Sequence, residues 1–186
     1  MMPALVITGG VLLVVLIFVV LTYNRFVSTR QHMKESWADI DVELKRRYEL
    51  IPNLVETVKG YARHEAELMA RVVELRNQAA ANHGDAASQA RDETTLMRAM
   101  KQFFVVVEAY PDLKASARFA DLQTELADTE DRIAAARRFF NANVRELNQL
   151  CLSFPSNLIA GMFGFSQASF FELASDAERV VPRVEV

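Results

Sequence analysis

Residues 122–151 read LQTELADTEDRIAAARRFFNANVRELNQLC. Leu122, Leu126, Thr129, Ile133, Ala136, Phe140, Val144, Leu147 and Cys151 step by four and three, alternating except for two successive fours around Phe140. That stride returns to one face of an α-helix every seven residues, so the segment predicts a long helix with a packing seam and a shallow crossing angle. Two more seams share the period. One runs Leu54, Val58, Tyr61, Glu65, Leu68, Val72, Leu75 and Ala79, the other Phe26, Arg30, Met33, Trp37, Ile40, Leu44, Arg47 and Ile51. Three seams of one period predict an all-α bundle. Punctuation agrees: between Tyr23 and Leu152 stand only two glycines, Gly60 and Gly84, and two prolines, Pro52 and Pro111. A many-stranded fold would need more turn residues.

Upstream, residues 4–21 read ALVITGGVLLVVLIFVVL, and no charged side chain occurs before Arg25. Eighteen helical residues at ~1.5 Å rise span about 27 Å, one hydrocarbon core. A cleaved signal peptide would need a basic n-region and a small-x-small cleavage site. Met1-Met2-Pro3 has no basic side chain and Thr22-Tyr23-Asn24-Arg25 is a poor site, so retention as an anchor is the better reading. Arg25, Arg30 and Lys34 follow the segment, which by the positive-inside rule predicts a short outer N-terminus, with the rest cytoplasmic at the inner membrane. The expected organisation is an anchor over 1–22, a bundle over 23–153 and an apolar C-terminal segment and tail over 154–186.

Several positions sharpen these expectations. Pro52 lacks an N–H and disfavours a helical Ile51, so the chain turns fully there or kinks. The comparable lengths of the flanking segments favour the turn, which would bring Phe154 back towards the membrane. Asn82-His83-Gly84-Asp85 predicts a loop, with Gly84 free to take positive φ. Pairs such as Glu43–Arg47, Glu67–Arg71 and Asp128–Arg132 sit at i,i+4. Arg47 and Glu65 are charges on seams: each snorkels at the bundle edge, the favoured reading, or joins a polar layer that fixes register. Phe154–Phe170, FPSNLIAGMFGFSQASF, has no charge and four Phe. It is read first as a cap on the core, with Phe163 and Phe165 otherwise available to the membrane interface or a partner.

Composition narrows function. A net charge of −3 from 21 basic and 24 acidic residues shows no basic excess, and no nucleic-acid partner is expected. A single cysteine, Cys151, excludes an intramolecular disulfide framework and a Cys-based zinc cage. Phosphate-loop, dinucleotide, nucleophile-elbow and zinc-helix motifs do not occur, and His64-Glu65 has Leu68 where a second zinc-binding His would stand. No catalytic, cofactor or metal residue is assigned, and no enzyme is expected.

The sequence resembles the LemA family. The likeness lies in Tyr23-Asn24 after an apolar helix, Ile40-Asp41-Val42-Glu43-Leu44-Lys45-Arg46-Arg47, and Leu50-Ile51-Pro52-Asn53-Leu54-Val55. It continues through Tyr110-Pro111-Asp112-Leu113-Lys114-Ala115, Thr129-Glu130, Ala136-Arg137-Arg138-Phe139-Phe140-Asn141, Asn148, and Phe154-Pro155-Ser156-Asn157-Leu158. Leu147 stands where the family often has Tyr, and Phe139-Phe140 where an aromatic such as Tyr precedes Asn141, which bears on side-chain hydrogen bonds and not on the fold. The resemblance implies a single-pass anchor followed by an antiparallel up-and-down four-helix bundle, without enzymatic activity. Some relatives are associated with magnetosome membranes. Asn24, Asn53, Asn141, Asn148 and Asn157 are read as helix caps or backbone bridges, with binding by Asn141 and Asn148 as the lesser reading. Arg47, Pro52, Glu65, Arg137, Pro155, Phe163 and Phe165 complete the motif or interaction positions. The expected partners are the bilayer, through residues 4–21, and unidentified proteins or a second copy. The resulting expectation is a non-enzymatic interaction or scaffold module. The alternative is a membrane-surface-acting or ligand-sensing protein that uses the Phe-rich segment or a bundle cavity.

Overall fold

The computed structural model describes residues 2–174. Helix α1 runs Met2–Lys59, α2 Ala66–Ala81, α3 Ala86–Val107, α4 Pro111–Lys114, α5 Ala117–Leu152 and α6 Ser156–Phe163, with a 3-10 turn at Arg63–Glu65. No strand occurs among the described residues, and the fold is all-α as expected. Residues 175–186 of the expected tail, Met1 and the side chains at 2 and 4–6 of the expected anchor lie outside the description. Within α1 the chain has a helical stretch long and apolar enough to cross a membrane. Val11, Leu12, Val14 and Leu16 in it are all more than half exposed.

The chain divides into two compact units. One joins Met1–Ser36 to Phe139–Ala168, the other Trp37–Arg138 to the chain from Ser169. Within the first, α6 packs back onto the early part of α1.

In the first unit, α1 and the end of α5 run antiparallel. Arg25 meets Glu146 at 3.1 Å, and Asn143 Nδ2 donates to the His32 carbonyl (3.3 Å) and the Ser36 hydroxyl (3.1 Å). Its core is Phe26, Leu147, Leu150, Ile159 and Ala160. Gly164, at φ 71°, ends α6 in the left-handed region that favours glycine, and the Phe165 N–H donates back to the Ala160 carbonyl at 3.0 Å. That reversal delivers Phe165 onto Phe26, rings stacked at 4.5 Å.

In the second unit, α1 from Trp37, α2, α3 and the start of α5 form an up-and-down array with short connections. Ile40, Leu44, Ile51, Leu54, Val72, Leu75, Leu96, Met100, Leu126 and Ile133 are buried in it, largely as the seams predict. Asp85 caps α3, its carboxylate accepting the Ser88 N–H at 2.9 Å. That bond is the main cause holding the Asp85 pKa below its ordinary value. Gly84 is not in the left-handed region. It is small because a Cβ there would lie 3.0 Å from the Asn82 and Ser88 side chains.

The expected turn at Pro52 is corrected: α1 continues through it to Lys59, and the chain reverses at Gly60–Ala62. The physical reason is visible in the backbone. Pro52 cannot donate to the Tyr48 carbonyl one turn back, and Arg76 Nε of α2 donates to that carbonyl instead, at 2.7 Å. With the orphaned acceptor satisfied, Leu54, Val55 and Val58 continue the buried face beyond the proline. The real turn interrupts the seam drawn through Tyr61 and Glu65. Tyr61 is exposed and Glu65 ends the 3-10 turn as the residue preceding α2, half-buried, so Glu65 forms no polar layer.

Replacing Arg76 by Met should destabilise the bundle by about 1–3 kcal/mol, the cost of an unsatisfied buried carbonyl. Adding Pro52→Ala should recover part of that loss, because residue 52 then supplies the missing N–H. A double-mutant cycle by chemical denaturation measures the coupling.

Candidate functional site

The densest polar chemistry lies inside the second unit, around Arg47. Favoured as a snorkelling side chain, Arg47 is instead fully buried. Its guanidinium pairs with Glu93 of α3, itself fully buried, and lies 3.3 Å from both carboxylate oxygens of Glu130 on α5. Met97 Sδ stands 3.6 Å from Nη1, and Nε has no hydrogen-bond partner. Snorkelling fails because the seam places residue 47 in mid-bundle, where the side chain reaches carboxylates before it reaches water. A guanidinium suits this role, being planar, permanently charged and weakly hydrated. The expected Glu43–Arg47 pair does not form. Glu43 instead faces Arg132 at 3.9 Å, and Arg71 pairs with Glu74 at 2.8 Å.

Both oxygens of Glu93 are engaged. Oε2 takes Arg47, while Oε1 accepts the Tyr48 hydroxyl and Gln89 Nε2, the latter at 2.9 Å. Gln89 also donates to the Ala79 carbonyl at 3.0 Å, tying α3 to α2. Burial, as the largest cause, pushes the Tyr48 phenol up to about 12 against the opposing pull of Arg47. The phenol is therefore a neutral donor at physiological pH. Tyr48 and Gln89 also line a pocket of about 460 Å³ whose rim carries Lys45, Arg76, Asn82 and His83.

Sequence reasoning named Arg47, and Glu130 only as part of the family likeness at Thr129-Glu130, but missed Glu93, Tyr48, Gln89 and Arg76. A signal existed for Glu93. Ala86, Ala90, Glu93, Met97, Met100, Phe104 and Val107 step by four and three, a fourth seam with an acid at its centre, and all seven are buried.

The remaining positions separate. Asn148 bridges backbone as expected: its amide donates to the Ala168 carbonyl at 3.0 Å and its Oδ1 accepts the Ala168 N–H at 2.8 Å. Asn53 is exposed and donates to the Glu49 carbonyl within α1 at 3.4 Å. Asn24 is exposed on α1, Asn141 half-buried on α5, and Asn157 exposed in the first turn of α6 just after Pro155. Neither Asn24 nor Asn53 caps a helix, because α1 runs uninterrupted through both. The Arg137 guanidinium lies 5.6 Å over the Phe171 ring in the second unit. Phe163 and Phe165 stand against Tyr23 in the first, at 4.8 and 5.8 Å. The Cys151 thiol is half-buried and its pKa raised by that burial, as for a small apolar side chain.

These features define an all-α protein of long helices, with a candidate membrane-crossing segment in its first helix and a charge cluster inside the bundle. The chain belongs to the LemA family, whose pattern matches residues 36–186. It is similar to the magnetosome protein MamQ of Magnetospirillum gryphiswaldense, 24% identical over 191 residues that cover 87% of this chain and 70% of MamQ. It is also similar to the protein LemA of Metamycoplasma hominis, 24% identical over 157 residues covering 84% of this chain and 71% of that protein. Magnetosome protein MamQ 2 of Paramagnetospirillum magneticum is 24% identical over 191 residues, covering 87% and 70%.

Arg47→Met should cost about 3–5 kcal/mol, because Glu93 is left buried without its counter-charge, whereas Arg47→Met with Glu93→Leu should recover most of it. Denaturant unfolding of the full chain in mild detergent reads both. Tyr48 sets an alkaline limit. Its folded pKa of about 12 exceeds the ordinary value of 10.0, so its contribution is complete below pH 10 and is lost as pH rises through 12. Stability should fall across that window, and Tyr48→Phe should remove this part of the slope.

Proposed function

We propose that this LemA-family chain is a membrane-anchored, non-enzymatic interaction module. Residues 4–21 hold it in the cytoplasmic membrane, with a short N-terminus outside and the bundle in the cytoplasm. The reading rests above all on the Arg47–Glu93 cluster. Charges at the centre of the bundle are turned on one another, so they hold helices in register and leave the outer faces to meet other molecules. The exposed apolar window of α1 supports the anchor, and Arg25, Arg30 and Lys34 after it support the orientation. Similarity to MamQ supports work at a membrane.

Photo-crosslinkers placed in intact cells at exposed bundle positions, Tyr61, His83 and Val105, should capture a discrete partner or a second copy. A monodisperse monomer with no crosslinked species would count against the module. In the same cells with Cys151→Ala, a cysteine at His83 should react with an impermeant maleimide only after the membrane is opened. A stoichiometric metal or cofactor in clean protein would overturn the non-enzymatic reading.

A further inference from the structure

In the first unit, charge stops at one level. Arg25 is the first charged residue of the chain, and Glu146 is the last before a neutral run over 147–171. The two pair at 3.1 Å with both side chains substantially exposed. Because α1 and α5 are antiparallel here, α1 before Arg25 and α5 after Glu146 extend to the same side of that pair. Among the described residues of this unit, that side carries no charged side chain. The apolar window reaches it too: Val19 packs on the cluster of Phe26, Leu147, Leu150, Ile159 and Ala160, and Phe18 and Thr22 share a cavity with Pro155 and Ser156 at the start of α6.

Helix α6 is two-faced. Ile159 and Ala160 point into the core, while Leu158 and Met162 are 58% and 70% exposed and Phe154, just ahead of the helix, is 80% exposed. Leu158 and Met162 lie one turn apart on α6 and form an outward apolar face, to which the exposed Phe154 is added from the turn just before the helix. Tyr23 lies against Phe163 at the end of the window, where an amphipathic ring belongs at a membrane–water boundary. In water such a face is a liability. At the edge of a bilayer, continuous with a hydrocarbon-facing helix and free of charge, it is a surface for lipid.

We infer that Phe154 and α6 form an interfacial element whose outward apolar face, Phe154, Leu158 and Met162, seats in the bilayer at the headgroup–acyl boundary beside the membrane-crossing part of α1. The occupant is lipid and not protein, because the apolar face lies beside the window in a run without charge over 147–171, and the nearest charges, Arg25 and Glu146, are paired with one another. This inference rests on the reading of residues 4–21 as an anchor.

Depth tests it. The full chain with Cys151→Ala and a single NBD-labelled cysteine is reconstituted at low density in phosphatidylcholine vesicles containing acyl-brominated lipid. The label at Met162→Cys should emit blue-shifted, be quenched by bromolipid several-fold more than at the water-side Lys34→Cys, and resist aqueous iodide. Leu158→Cys, also exposed, should behave as Met162→Cys does and guards against a local defect. A label at 162 that iodide reaches as it does at 34 overturns the inference. So does a label shielded from iodide yet untouched by bromolipid, since protein then covers the face. Val14→Cys separates the readings: quenching there without quenching at 162 sinks this inference alone, and no quenching at either sinks the anchor as well.

Discussion

Arg47 lies where water does not reach, and a charge so placed must have its counter-charge built in. Removing a guanidinium from water costs several kcal/mol unless paired charges and hydrogen bonds offset it. Glu93 from α3 and Glu130 from α5 supply that offset, while Tyr48 and Gln89 complete the bonding of Glu93. A purely apolar heptad seam is nearly indifferent to sliding by seven residues, about 10.5 Å at the helical rise. One buried cation with one buried anion is not indifferent: a slipped helix leaves both unpaired in the core. The cluster therefore fixes the register of α1, α3 and α5 together, a specificity that apolar side chains of the same volume would not provide.

Tyr48 carries this register into the backbone. Its hydroxyl belongs to Glu93 on α3, while its carbonyl, freed by Pro52, belongs to Arg76 on α2. The Arg76 guanidinium also stands 5.9 Å over the Tyr48 ring. One residue of α1 thus contacts two neighbouring helices through different atoms, and the proline creates one of those contacts. A helix interior ordinarily rejects proline because it strands a carbonyl. Here the stranded carbonyl is a docking point for α2, which is why the helix does not need to end.

What the sequence made legible was periodicity, and what it concealed was partnership. Leu126, Ile133, Phe140, Val144 and Leu147 are buried as their four–three stride requires, and the apolar window is evident from the absence of charge before Arg25. Pro52 misled because a one-dimensional reading sees the lost N–H but not the arginine of another helix that answers it. Tyr61 and Glu65 fit a seam on paper that the turn at Gly60–Ala62 breaks in space. Arg47 stood out as a charge on a seam, but its environment depended on Glu93, and the seam through Ala90, Glu93, Met97 and Met100 had to be drawn before the two could be matched. Tyr48 and Gln89 carried no local signal, since they act only as neighbours of a buried carboxylate.

The same helical period carries two kinds of side-chain chemistry. Along α1 the seam residue Phe26 stacks on Phe165, in a unit whose core is aromatic and aliphatic, whereas Arg47 on the same seam meets carboxylates in a unit whose apolar core encloses a charge cluster. A charge layer gives register only where the alternative is unpaired burial within protein. Near hydrocarbon, an ionic layer would also expose charge to lipid if the helices moved apart, at a cost of several kcal/mol. Neutral rings and backbone bridges such as Asn148 to Ala168 avoid that hazard, since their groups remain uncharged when separated. Charge first reappears in the Arg25–Glu146 pair, which is exposed and so has the screening of water available to it. On the proposed anchoring, in which one part of the chain would face lipid and another water, this change in side-chain chemistry along an unchanging seam gives each part the packing suited to its surroundings.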